Sequence, residues 1–268
     1  MNNSSILELN NRKLDNCLFS IIIIPVKAYF KTNNNFSIER ELYLFFSCNI
    51  QGKRKYITTV FKDKYPKVSD WYDFILSLKA KGINITLYAI IPNNDFLSKA
   101  LKLAFNEINV YVSFLEIYAK LTKYHSANYA NRLFEEVRKL YLTSTLEEYD
   151  IYFNSFKEEY LNLPFINDLL EEDLKRIKPY YDIELNFRKY ILSFYFCREL
   201  FKRLVVISHS KDSFSSIDEF ITCILPDIRR IELKMFCSKK DLKFIINKVY
   251  TQYGNLIKSY LWCIIYIN

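Results

Sequence analysis

Along the chain, apolar and polar positions follow two regimes, a strand-like one first and a helical one after. Residues 1–16 are polar and Asn-rich. Leu18–Phe30 (LFSIIIIPVKAYF) is an apolar run rich in β-branched residues, the pattern of a buried strand. Glu41–Ile50 reads as a second strand, Gln51-Gly-Lys-Arg54 as a turn and Lys55–Phe61 as the returning arm of a hairpin. Lys64–Asp70 is a loop in which Ser69 or Asp70 suits a helix N-cap. Trp71, Phe74, Ile75 and Leu78 then fall at helical spacing within Trp71–Lys81, and Gly82 stops that helix. Ile83–Ile91 predicts a strand, Phe96–Phe105 a short helix and Asn109–Leu115 a further strand. From Glu116 to about Arg203 apolar residues recur three and four apart, through Tyr118, Leu121, Leu133, Val137, Leu140 and Tyr141. Pro164 and Pro179 divide that stretch into separate helices. A Ser-rich loop, Ser208–Ser216, precedes a helix beginning at Ile217.

This order predicts an α/β fold of the ribonuclease-H-like kind, a mixed five-stranded sheet flanked by helices, with a large helical insertion and a helical C-terminal part. The expected division is a leader at 1–16, strands and first helices at 17–115, the insertion at 116–186, and core-completing helices at 187–268. The 268 residues are ample for such a core.

Composition removes several function classes. With 3 Gly there is no Gly-rich phosphate loop and no Gly-Lys-Ser/Thr element. The 6 Cys are dispersed and stand at no zinc spacing from His125 or His209, so reduced thiols in a cytoplasmic protein are expected. No signal peptide is evident, and the apolar runs Leu18–Pro25 and Leu261–Ile267 are too short to span a bilayer. A net charge of +8 favours a polyanionic partner, nucleic acid first. The 22 Tyr and 22 Phe accompany abundant Ile, Asn and Lys and are read as a product of base composition, not as stacking platforms.

Five segments in order carry a family resemblance. Asn49-Ile-Gln-Gly-Lys-Arg-Lys-Tyr-Ile57, Trp71–Ile83 (WYDFILSLKAKGI), Phe96–Phe105, Phe187-Arg-Lys-Tyr-Ile191 and Ser213–Ile221 (SFSSIDEFI) are similar to successive pieces of the Mutator-type insertion-sequence transposase core. Their order and separation agree from about Leu18 to Ile257. The family's N-terminal DNA-binding region has no counterpart in this reading. The resemblance implies DNA cutting and joining by two-metal phosphoryl transfer, in which three carboxylates hold a pair of Mg²⁺ ions.

The three positions that the resemblance assigns to those acids read Ile22, Ile91 and Arg198. An alkyl group does not ligate Mg²⁺ and a guanidinium repels it, so no catalytic residue, metal or other cofactor is expected. The nearest acids are Asp95 and Glu199, the latter turned by about 100° from its neighbour on a helix. A Cys-x-x-His pair that the family tends to carry falls at Ser113 and Glu116. The expectation is therefore a catalytically inactive, transposase-derived protein that retains DNA or transposase binding. Expected partners are DNA and a second copy or partner transposase, with no membrane and no small-molecule substrate. Lys53, Arg54, Lys55, Lys202, Arg203, Arg229 and Arg230 are the candidate phosphate contacts. Two rivals stand beside this reading: a protein–protein module without nucleic acid, and an active Mg²⁺-dependent nuclease using Asp63, Asp95 and Glu199. Ser208-His209-Ser210 is read as a solvated loop, and Glu147-Glu148, Glu158-Glu159 and Glu171-Glu172-Asp173 as solvated helix faces.

Overall fold

A computed structural model describes residues 8–9, 12–163, 174–192, 194–234 and 239–265. Five strands, β1 (Cys17–Lys31), β2 (Ser37–Asn49), β3 (Arg54–Phe61), β4 (Ile85–Ile91) and β5 (Asn109–Val112), form one sheet in the order β3-β2-β1-β4-β5. β1, β2 and β3 are antiparallel neighbours, whereas β4 runs parallel to β1. This mixed sheet is the expected ribonuclease-H-like core. β1–β2 pairing runs from Leu18↔Asn49 to Lys31↔Ser37, so β2 starts four residues before the hydrophobic signal does. Those first residues, Ser-Ile-Glu-Arg, pair where the hairpin stands in solvent, and no buried face imposes a period of two there.

One face of the sheet is covered by α1 (Val68–Ala80) and α2 (Asp95–Ala104). Trp71, Ile75 and Leu78 from α1 and Leu97, Ala100, Leu101 and Ala104 from α2 pack with Ile21, Ile23, Tyr43, Phe45, Ala89 and Ile91. Trp71 is fully buried and stacks between Tyr43 and Tyr65, at centroid distances of 5.7 and 4.5 Å. The start of α1 differs from the sequence expectation. Neither Ser69 nor Asp70 is the N-cap; Lys67 is, and the Asp70 carboxylate reaches back to accept from the Lys67 backbone N–H at 3.0 Å. Gly82 ends the segment at φ +116, and a Cβ there would stand 3.0 Å from the Leu14 carbonyl oxygen.

α3 (Leu115–Tyr124), α4 (Ala127–Tyr141) and α5 (Leu146–Tyr160) follow β5. β5 is shorter than its apolar run because the Ser113 hydroxyl accepts from the Leu115 N–H and turns the chain into α3. A 3₁₀ segment (Leu174–Asp182) contains Pro179, and α6 (Leu185–Leu192), α7 (Phe194–Ser208), α8 (Ile217–Glu232) and α9 (Lys239–Ile265) complete the chain. Pro164 and the acidic run Glu171-Glu172-Asp173 lie outside the described residues. The chain divides into two compact units, Met1–Val110 with Glu199–Asn268, and Tyr111–Arg198. Toward the end of the second, helical unit, Arg188 and Arg198 bond to α4 and its C-terminal turn. No described helix is long and apolar enough to cross a membrane.

Candidate functional site

β1 and β4 lie side by side with Ile21↔Ala89 and Ile22↔Ile90 in register. Side chains alternate across a strand, and in-register neighbours share a face. Ile21, Ile23, Ala89 and Ile91 all belong to the cluster beneath α1 and α2. Ile22 and Ile90 therefore leave the sheet on the other face. The side chains of Ile22 and Ile91, at the two strand positions expected to carry acids, point in opposite directions, and the β4 residue that shares the face of Ile22 is Ile90. Sequence alone missed this because it gives the parity within each strand but not the register between them. All three isoleucines are at most 1 % exposed. Neither Cys17–Phe30 nor Ile85–Ile91 contains a carboxylate on either face.

Arg198 belongs to the helical unit. Its guanidinium donates to Glu135 Oε1 at 2.5 Å and lies 5.5 Å from the Phe134 ring centroid. Glu135 also receives Arg138 Nε at 2.7 Å. Burial works to raise the Glu135 pKa, but the hydrogen bonds from Arg198 and Arg138 outweigh it and hold the carboxylate below its ordinary range. Arg198 thus serves an ion-pair network on α4.

The displaced acids are dispersed. Asp95 is the exposed first residue of α2, behind the N-cap Asn94, whose side chain accepts from the Leu97 N–H. Glu199 is exposed and stands 3.4 Å from Lys202. Asp63 is held in a fork by Arg40, at 2.7 and 3.1 Å, and that guanidinium lies 3.5 Å from the Phe61 ring centroid. Asp63 and Asp95 line one open cleft of about 590 Å³ with Glu39, Glu41, Arg40 and Lys62, and Lys62 pairs with Glu41 at 2.7 Å. Glu199 is not among its lining residues. Among the described residues no three His, Cys, Asp or Glu side chains are grouped to hold a metal ion.

Most of the candidate phosphate contacts are engaged elsewhere. Lys55 pairs with Asp15 at 3.2 Å, Lys202 with Glu199, and Arg203 and Arg230 share Asp227 at 2.9 Å each. Arg54 is buried within β3. Lys53, beside Gly52 at φ 79, and Arg229, in the last turn of α8, are exposed. Charge is nevertheless unevenly shared. The sheet-containing unit holds 26 Lys and Arg against 16 Asp and Glu, a net +10, and the helical unit 12 against 14, a net −2.

The remaining constellations are structural. Ser208 and Ser210 donate their hydroxyls to the Val205 and Ile207 carbonyls, so neither faces His209 as a nucleophile. Glu148 accepts from the Ser144 N–H and its own N–H donates to the Thr145 hydroxyl, closing a cap on α5. Cys17 is half-buried, and desolvation pushes its thiol up to about 12, an unreactive state.

Two residues whose roles the sequence hid are Arg188 and Glu232. Arg188 is 1 % exposed; it donates to the carbonyls of Tyr141 (3.0 Å), Thr143 (2.9 Å) and Ile183 (3.1 and 3.3 Å) and stacks 4.4 Å from the Tyr181 ring centroid. It lies in the Phe187–Ile191 segment that carries part of the resemblance, and its role there is to close helix ends. Glu232 binds the outer edge of β3, and nothing local to α8 signals it.

Comparison with known protein families returns one whose sequence model, described as transposase, Mutator family, matches residues 3–214. No curated protein matches the chain.

Proposed function

The chain belongs to the Mutator family of transposases, and on that premise we propose that it is a transposase-derived protein that no longer cuts or joins DNA and that retains duplex DNA binding through its sheet-containing unit. One observation carries the loss of chemistry. The two central strands that would present metal-binding acids are entirely free of carboxylates, and Ile22, Ile90 and Ile91 are packed as core. A two-metal mechanism needs acids that bridge the ions and neutralise charge at the attacking and leaving oxygens. The residues present do not fit such a pair, and no step through Mg²⁺ is derived. Asp63 is bonded to Arg40, Asp95 is exposed at the start of α2 and Glu199 stands next to Lys202, and among the described residues these acids are not grouped to hold a metal ion.

DNA binding is supported by family membership and by the net +10 of the sheet-containing unit, which favours release of counterions from a duplex. The test is duplex binding measured across salt concentration, beside Mg²⁺- and Mn²⁺-dependent cleavage. Salt-sensitive binding without cleavage is expected; metal-dependent cleavage overturns the reading. A protein–protein module is the second reading, favoured by the ion pairing of Lys55, Lys202, Arg203 and Arg230. Failure to bind any duplex at low ionic strength would select it.

A further inference from the structure

β3 is an edge strand, and an edge strand presents unpaired N–H and C=O groups that template the addition of another strand. At Tyr56 both outward groups are already taken. The Tyr56 N–H donates to Glu232 Oε1 at 2.8 Å, and its carbonyl accepts from Arg12 Nη2. Arg12 and Glu232 are themselves joined by a two-armed ion pair, with Nη1 to Oε2 at 3.1 Å and Nη2 to Oε1. The pair thus reproduces, with side chains, the donor and acceptor that one residue of a neighbouring strand would offer. Arg12 precedes β1 and Glu232 is the last residue of α8, so the device ties both segments to the edge.

We propose that the Arg12–Glu232 pair is a latch that closes β3 to strand addition, and that opening it lets a second copy of this chain pair antiparallel through β3. The geometry of Tyr56 points to a second copy as the occupant. In an antiparallel ladder, hydrogen-bonded partners exchange both N–H···O bonds, so two copies of Tyr56 across a twofold axis satisfy each other completely. About a twofold axis at Tyr56, Ile57 and Thr58 of one copy face Lys55 and Arg54 of the other, so each cation stands opposite an uncharged side chain and no like charges are directly paired. The latch is also imperfect. Arg12 Nε is buried without an acceptor, and the two side chains are 22 % and 21 % exposed, so water reaches them and opening restores hydration to a lone donor.

The test is Glu232→Ala in the full chain, followed by sedimentation velocity and amide hydrogen exchange over a hundredfold range of protein concentration. Asp227→Ala, which breaks the Arg203 and Arg230 pairs on the same helix, is the control. The expected result is a concentration-dependent dimer for Glu232→Ala alone, with the Tyr56 amide exchanging at least tenfold faster in dilute than in concentrated protein. Arg12→Ala, with folding followed by helical circular dichroism, repeats the measurement if Glu232→Ala does not fold. A monomer at every concentration, a dimer whose Tyr56 exchange ignores concentration, dimerisation of Asp227→Ala, or unfolding of both latch variants each overturns the proposal.

Discussion

Replacing Arg188 by Met removes a buried cation that has no carboxylate among its hydrogen-bond acceptors; all three are backbone carbonyls. Tyr141 is the last residue of α4, where the final carbonyls of a helix lack intrahelical donors and the dipole is negative. The guanidinium is tolerated there because its fork spans carbonyls from three chain positions at once. Burial still pulls its pKa down from the ordinary arginine value, partly offset by the nearby Tyr181 hydroxyl. Truncation leaves three carbonyl oxygens dry at about 1–3 kcal/mol each. Releasing the desolvated charge recovers part of that, so a net loss of about 3–4 kcal/mol is expected. Arg188→Lys keeps the charge, but a compact ammonium cannot span the same acceptors, and about 2 kcal/mol should be lost. The loss should fall on the helical unit first, because all the acceptors belong to it. Urea unfolding followed by hydrogen exchange of the last turn of α4 reads both quantities. A cost below about 1 kcal/mol for Arg188→Met, or unchanged exchange in α4, refutes the clamp.

Other outcomes follow from the same contacts. Glu219 receives Lys211 and the Ser215 N–H and hydroxyl, which hold its carboxyl down at about 2. Because the folded value lies below the unfolded one, this contribution is full above about pH 4.3 and fades as pH falls toward 2. An NMR titration of Glu219 should show that midpoint, and Glu219→Gln should flatten this limb of the stability–pH curve. Ser216→Ala removes the side-chain cap that accepts from the Glu219 N–H and should cost about 1 kcal/mol in thermal unfolding. Ile22→Asp introduces a carboxylate into fully packed core and should destabilise by about 3 kcal/mol or more while conferring no Mn²⁺ binding in calorimetry. If the sheet-containing unit binds duplex DNA, Lys53→Ala should weaken binding uniformly across sequences and lower the salt slope by about one.

How far the sequence went depended on where the deciding interaction lay. Strands β1, β3 and β4 were legible because their apolar runs coincide with the buried parts of the sheet. The first residues of β2 and the true start of α1 were not, since one is held by pairing in solvent and the other by a cap three residues upstream of Asp70. The absence of acids on β1 and β4 was readable directly. Which residues share a face was not, because it rests on the Ile22↔Ile90 register. The basic clusters were visible as charge, but Lys55 meets Asp15 and Arg203 meets Asp227 only through the fold. Arg188 stood within a quoted motif, yet its acceptors are backbone oxygens and leave no trace in side-chain identity.

We propose that the metal-dependent chemistry of the family is gone from this chain while its fold persists. Calorimetric titration of the purified protein with Mn²⁺, run beside a duplex-cleavage assay on the same preparation, tests it most directly. No saturable Mn²⁺ binding and no cleavage above the metal-only control are expected. Stoichiometric binding of two Mn²⁺ ions with cleavage that disappears in Asp63→Asn, Asp95→Asn or Glu199→Gln would contradict it.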